Sequence, residues 1–440
     1  MPQVWVPGRI LGSFFFLGDS VMHDGANGRK WRVLTTAQDD GTWGDHRPPG
    51  RDCRAGSAVG FVIATTLGMV CLSAWGQEIP RVAAAPELAR LESTVRVLSS
   101  AEYEGRSGEG GRKAAGYLVE AFRGLGLEPL FEGQFVQVIP GAELGTVQGR
   151  NVGAVLRGSD PEKQNEWVIL SAHYDHLGVR GGVLYPGADD NASGVAMMLE
   201  VARLLASAPD RPPRSIMFLG FDLEEAGLFG SRYFVAHPPV PLDRLVLFVT
   251  ADMIGRSLAG VCQRRVFVMG TEHAPELRPW IEEAAGGKDV EVSLLGADLL
   301  LLNRSDYGPF RSRQIPFLFF STGENPRYHT PDDTPDTLDY PKLAAISQVI
   351  LDVVAKAATH PDPPRWRATP EHSLSETLAI RDVLRELIDH RRELGLGAAK
   401  LYLMTSTLRS IEAIVARGAV SAAERDWVIQ AARIILLAIR

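Results

Sequence analysis

The sequence predicts an α/β protein: a three-layer sandwich in which a mostly parallel or mixed central sheet lies between helices, with an all-helical extension at the C-terminal end. Two patterns predict it. Apolar runs of strand length alternate with segments of helical period, and strands apolar almost throughout are buried on both faces, as in a parallel sheet covered by helices. After Thr359 the strand pattern stops, His360-Pro361-Asp362-Pro363-Pro364 breaks the chain, and only helical stripes follow. The 440 residues are 45% hydrophobic and 22% charged, which excludes a wholly disordered, collagen-like or polytopic membrane chain. A net charge of -7 without a long basic run argues against a nucleic-acid partner. The three cysteines, Cys53, Cys71 and Cys262, are too few for a disulfide framework, and no C-x-x-C pair suggests a zinc ribbon.

Residues 1–50 are rich in Trp, Gly, Asp and Arg and keep no period, and they read as disordered or as an error in the start site. Arg51 and Arg54 then precede an apolar run from Ala55 to Leu72, and Ala74-Trp75-Gly76 places small residues where a signal peptidase cuts. Residues 51–76 are therefore expected to be a signal peptide, or a membrane anchor through residues 55–73. The protein is expected to be secreted or periplasmic, or held at a membrane. Cleavage after Gly76 would leave Cys262 as the only cysteine.

Residues 86–128 read as two helices separated by a glycine-rich stretch, the second carrying Ala114, Tyr117, Leu118, Ala121 and Phe122 on one stripe. Strands are expected at 151–156, 168–172, 215–221, 245–250, 265–269 and 316–320, with helices at 195–205 and 274–285. Residues 360–370 read as a linker. In the extension, 371–440, Ile380, Leu384, Leu387 and Ile388 form one stripe and Trp427, Val428, Ala431, Ile434 and Ile435 another. Ser373 with Glu376, and Ser421 with Glu424, have the spacing of capping boxes. Helices this apolar must bury a face on themselves, on the main domain or on a second copy of the chain. They are expected to pack away from the chemistry described next.

That chemistry gathers at the ends of the predicted strands, where open α/β sheets place their ligands. His173-Tyr174-Asp175-His176 follows one strand, Asp222-Leu223-Glu224-Glu225 the next, and Asp252 a third; Asp189-Asp190-Asn191 opens a helix, and Tyr328-His329-Thr330 lies in a later loop. Each is unremarkable alone: Asp-Asp before a helix is commonly a cap. Together, imidazole nitrogens and carboxylate oxygens at neighbouring strand ends form a donor set for divalent metals. Two metals close together also need a carboxylate that bridges them.

The segments Ala172-His173-Tyr174-Asp175-His176-Leu177-Gly178, 186–194, Leu223-Glu224-Glu225-Ala226-Gly227, Ala251-Asp252-Met253 and Tyr328-His329-Thr330, in this order, resemble the aminopeptidase Y and leucyl aminopeptidase family of co-catalytic dizinc exopeptidases. The resemblance covers residues 82–359, including Glu104-Gly105-Arg106-Ser107-Gly108 and Gly149-Arg150-Asn151-Val152. It implies two Zn2+ ions per chain, one on His173 and Asp252, the other on Glu225 and His329, with Asp190 bridging and a cis peptide after it. It further implies Asp175 as the partner that orients His173, Glu224 as general base, Tyr328 as a donor to the oxyanion, and a peptide substrate shortened from its N-terminus. His176 has no ligand counterpart and reads as pocket rim or structural; Ser305-Asp306-Tyr307 reads as pocket wall or as support behind the ligands. Two other activities share the pattern: the related glutaminyl cyclases, with one zinc, and carboxypeptidases or dipeptidases. A non-enzymatic binding module of the same fold is disfavoured because no ligand position is lost.

Overall fold

The computed structural model describes residues 84–439 except Leu144 and residues 300–302. The expectations for residues 1–50 and 51–76 lie outside them. Two helices lead, α1 (Leu88–Leu98) and α2 (Glu109–Gly124). The first strands are β1 (Glu128–Pro129), β2 (Val136–Pro140), β3 (Val147–Leu156) and β4 (Trp167–His173), and a short hairpin follows, β5 (Val179–Arg180) with β6 (Val183–Leu184). Helix α3 (Gly194–Ala206) leads to β7 (Ser215–Phe221), α4 (Phe229–Ala236), β8 (Leu245–Ala251), β9 (Arg265–Met269), α5 (Leu277–Ala285) and β10 (Glu291–Leu295). Then come α6 (Tyr307–Ser312), β11 (Phe317–Ser321), α7 (Tyr340–Thr359) and three tail helices, α8 (Leu374–Asp389), α9 (Ala398–Ala416) and α10 (Ala422–Ala438).

Nine strands form one mixed sheet in the order β1-β3-β7-β4-β8-β11-β9-β10, with β2 also on β3. Its centre, β7-β4-β8-β11, is parallel; β3 on one side and β9 on the other run antiparallel to it. Every residue of β4, β7 and β8 is buried, because alternate side chains feed two different cores. Val168, Leu170 and Ala172 face the layer of α1, α2, α3, α5 and α7, while Trp167 and Ile169 face the other side with α4 and α6. Double burial makes these strands read as unbroken apolar runs. The strands missing from the sequence reading are peripheral or short: β1, β5 and β6 have two residues each, β2 is half exposed along its length, and β10 starts with an exposed Glu291.

The tail belongs to the second helical layer. Ile380, Leu384, Leu387, Met404, Ile411, Val428 and Ile435 are buried in the same core as Phe267, Met269 and Phe319 of β9 and β11. Arg425 ties it down, donating to Glu376 at 2.8 and 2.9 Å and to Asp298 at 2.5 and 2.6 Å. Glu376 also accepts from the Gly296 amide at 2.7 Å. This use of Glu376 overturns one predicted cap: Ser373 makes no side-chain capping bond, whereas the Ser421–Glu424 box is complete. Among the described residues no helix is long and apolar enough to cross a membrane.

Candidate metal centre

The parallel strands deliver their C-terminal ends to one point. His173 is the last residue of β4, Asp252 follows β8 directly, and Glu224 and Glu225 come three and four residues after the end of β7. Asp190 sits in the loop before α3, and its peptide bond to Asn191 is cis. Leu223, Met253 and His329 all have φ near +60°, a region that side chains other than glycine rarely adopt and that clusters at functional sites.

The donor atoms converge closely. His173 Nε2 lies 3.3 Å from Asp252 Oδ1 and 3.5 Å from Asp190 Oδ1. The other oxygen, Asp190 Oδ2, lies 3.1 Å from His329 Nε2, which is itself 3.1 Å from Glu225 Oε2. Two ligands bound tetrahedrally to a zinc at about 2.0–2.1 Å stand about 3.3 Å apart, so these separations suit metal ligands. Both ring nitrogens of His173 and Asp252 Oδ1 are buried without a hydrogen-bond partner among the described residues. Buried polar atoms are otherwise almost always paired, so the donor set fits a bound cation. Glu224 lies with His173 and Asp252 in one cluster of possible ligand atoms; His176, Asp190 and Glu225 form a second.

Of the two places expected for His176, rim or structural, it takes the second. It is buried rather than at a rim, with Nδ1 3.0 Å from Glu225 Oε1 and 3.8 Å from Asp190 Oδ2. Asp175 has two contacts: Oδ1 is 3.5 Å from His173 Nδ1, and its carboxylate accepts the Glu224 and Glu225 amides at 3.0 and 3.2 Å. It therefore fixes the turn that carries both glutamates. Tyr328 stacks on His329 with ring centres 3.9 Å apart. Asp306 is fully buried beside this group, and burial pushes its carboxyl up to about 7.

Crowding of acids sets the electrostatics. Burial lifts Glu224 well above the usual carboxylate range, with Asp252, Asp306 and Asp175 adding to the effect against His173. Burial opposes a charged His329, but hydrogen bonds to Asp190 and Glu225 override it and push the imidazole up to about 10. Burial would also raise Glu225, yet His176 and His329 hold it well below its ordinary value. A site that gathers this much negative charge stabilises cations, whether protons or a metal.

Several supports had no signal in the sequence as a set. Arg106, completely buried, donates five hydrogen bonds to backbone carbonyls: Tyr174, Leu98, Pro186, Gly187 and Asp190, at 2.6–3.1 Å. It clamps both sides of the Asp190 loop. Asp333 accepts the Asp189 and Asp190 amides at 2.8 and 3.1 Å and pairs with Arg256 at 2.5 Å. Gly187 has φ +60°, and a Cβ there would lie 2.5 Å from the His176 ring, so the close approach of loop and ring needs glycine. Arg106 does sit within a segment that the sequence singles out, Glu104-Gly105-Arg106-Ser107-Gly108, which is the only trace of its role.

Residues 151–354 match the family model of peptidase family M28. This stretch is similar to M28 peptidases. All five predicted ligands lie inside the matched span. Aminopeptidase YwaD of Bacillus subtilis is 29% identical over 210 residues, covering 46% of this chain and 44% of the relative. Leupeptin-inactivating enzyme 1 of Streptomyces exfoliatus is 29% identical over 169 residues, covering 38% of this chain and 34% of the relative. The chain thus spans less than half the length of either. LapA aminopeptidase of Legionella pneumophila is similar in fold, with a TM-score of 0.52 at 22% identity over 65% of this chain and 75% of that one.

Proposed function

We propose that the chain is a zinc-dependent aminopeptidase that removes N-terminal residues from peptides, with two zinc ions bound side by side. His173 and Asp252 would hold one ion, Glu225 and His329 the other, and Asp190 both. The observation that carries this reading is the Asp190 carboxylate, whose two oxygens face two different imidazoles at 3.5 and 3.1 Å. When bound, the ions would supply an acidified water and a Lewis acid for the scissile carbonyl. Glu224 is the base: burial keeps its carboxyl basic enough to take a proton near neutrality and pass it to the leaving amine. The Tyr328 phenol, whose ionisation burial disfavours, donates to the carbonyl oxygen as negative charge grows there. The surplus carboxylates give a free α-ammonium its place, which favours N-terminal residues over internal ones. The family match and the similarity to proteins named as aminopeptidases support the same activity.

The test is a panel of aminoacyl-nitroanilides and amine-blocked peptides on zinc-loaded protein, with metal counted per chain. Hydrolysis of peptides and nitroanilides with a free amine in preference to amine-blocked peptides, with two zincs bound, is expected. One zinc per chain with closure of N-terminal glutamine would replace this reading with that of a cyclase. The proposal extends to export through residues 51–76, or anchoring through 55–73, checked by fractionation of cells. It extends also to self-association through the exposed Trp427, Ile434 and Leu437 of α10, checked by sedimentation.

A further inference from the structure

A cavity of about 620 Å³ opens from the metal centre and runs under the tail. At the metal end it meets Glu224, Glu225, Asp252 and Tyr328; its polar neighbours there, Asn325 and Arg304, are tied to Asp189 and Glu324. Beyond that end the wall is almost wholly apolar: Phe267, Met269 and Phe319 from the sheet, Leu384 and Leu387 from α8, and Ile435 from α10. The polar side chains that the tail adds are Glu393 and Thr407. The expectation that the tail packs away from the metals is therefore wrong, for a physical reason: the apolar stripes of α8 and α10 cover the sheet face beside the site.

The volume corresponds to about twenty groups of water or methylene size at roughly 30 Å³ each. That far exceeds any single side chain. A peptide threaded along the apolar part would bury amide groups without partners, which is unfavourable for each one. A hydrocarbon chain has no such groups and gains from the same burial. The part of a substrate that ends in charge must then lie toward the open, polar end.

We propose that the cavity holds a long aliphatic acyl chain, so that this site also hydrolyses long-chain N-acyl amino acids. The inference rests on the hydrolytic reading of the metal centre. The oxygen of water bonds to the acyl carbon as the C–N bond breaks, and a proton of that water passes by Glu224 to the amine. The products are a fatty acid and a free amino acid. The tail residues Leu384, Leu387 and Ile435 then set the chain length accepted.

The experiment uses the full, zinc-loaded protein with N-acyl-leucines from acetyl to tetradecanoyl, and leucine nitroanilide in parallel. kcat/KM is expected to rise about fourfold per added methylene and then to level off. Dodecanoate should displace a fluorescent fatty acid from the protein, a readout independent of turnover. Leu384→Trp and Ile435→Trp, on separate helices, should each bring the plateau to shorter chains. A flat acyl series with leucine nitroanilide still cleaved overturns the inference and leaves the peptidase reading standing. Faster cleavage of leucine alkylamides than of N-acyl-leucines overturns the acyl assignment, and a plateau unmoved by both tryptophans overturns the role of the tail. If neither substrate class is cleaved with zinc bound, the hydrolytic reading falls as well.

Discussion

Replacing Arg106 by lysine should loosen the metal centre from behind. The guanidinium reaches five carbonyls, two of them in Gly187 and Asp190 and one in Tyr174 beside the proposed ligand His173. An ammonium has three N–H groups, so at least two buried carbonyls lose their donor. At about 1–3 kcal/mol for each unsatisfied group, the loss is about 2–6 kcal/mol in unfolding free energy. Because one of the freed carbonyls can belong to Asp190 itself, zinc affinity should fall about 10–100-fold, as for other groups that orient ligands. Urea unfolding of chelator-treated protein reads the first effect, and zinc titration against a competing indicator reads the second. Arg112→Lys is the control, since its pair with Glu109 is exposed and should matter by less than about 0.5 kcal/mol. Refutation would be an Arg106→Lys protein as stable as this control that binds zinc like the wild type.

Glu224→Gln should keep its zinc and lose activity about 10²–10⁴-fold, whereas Asp190→Ala should lose zinc, so metal analysis beside kinetics separates base from ligand. Lys342 is buried, and burial lowers its pKa to about 8 from 10.5. Between those values the unfolded chain binds more protons, so stability should rise with pH by about 3 kcal/mol across that window; urea midpoints of wild type and Lys342→Met at both ends should show a rise that the variant lacks. Leu387→Ala, almost fully buried between α8 and the sheet, should cost about 2–4 kcal/mol in denaturant unfolding. Deleting everything after Thr359 would bare Phe267, Met269 and Phe319, so the truncated protein should aggregate and, where soluble, show a raised KM for apolar substrates. A monomeric truncated protein with an unchanged KM would show that the tail is no part of the wall.

The sequence by itself determined the layer architecture and marked the histidines and carboxylates that the fold brings together. Strands β4, β7 and β8 were legible because burial on both faces leaves an unbroken apolar run, and the residues that follow them were legible because chemistry in such sheets collects at strand ends. The peripheral β2 and β10 were not, since a half-exposed strand has no such run. Only the tertiary structure decided the rest. His176 could be a rim residue or a buried partner of Glu225 until its ring direction was known, and Arg106 gains its role from carbonyls as far away as Asp190, which no local pattern records. The tail shows the limit most plainly. An apolar stripe on α8 or α10 states that a face must be buried, but both sides of the sheet are equally apolar, and pattern cannot say which one it covers. That choice is made by contacts distant in the chain, among them Arg425 with Asp298 and Glu376, and it turns a C-terminal extension into a wall of the cavity beside the candidate metal centre.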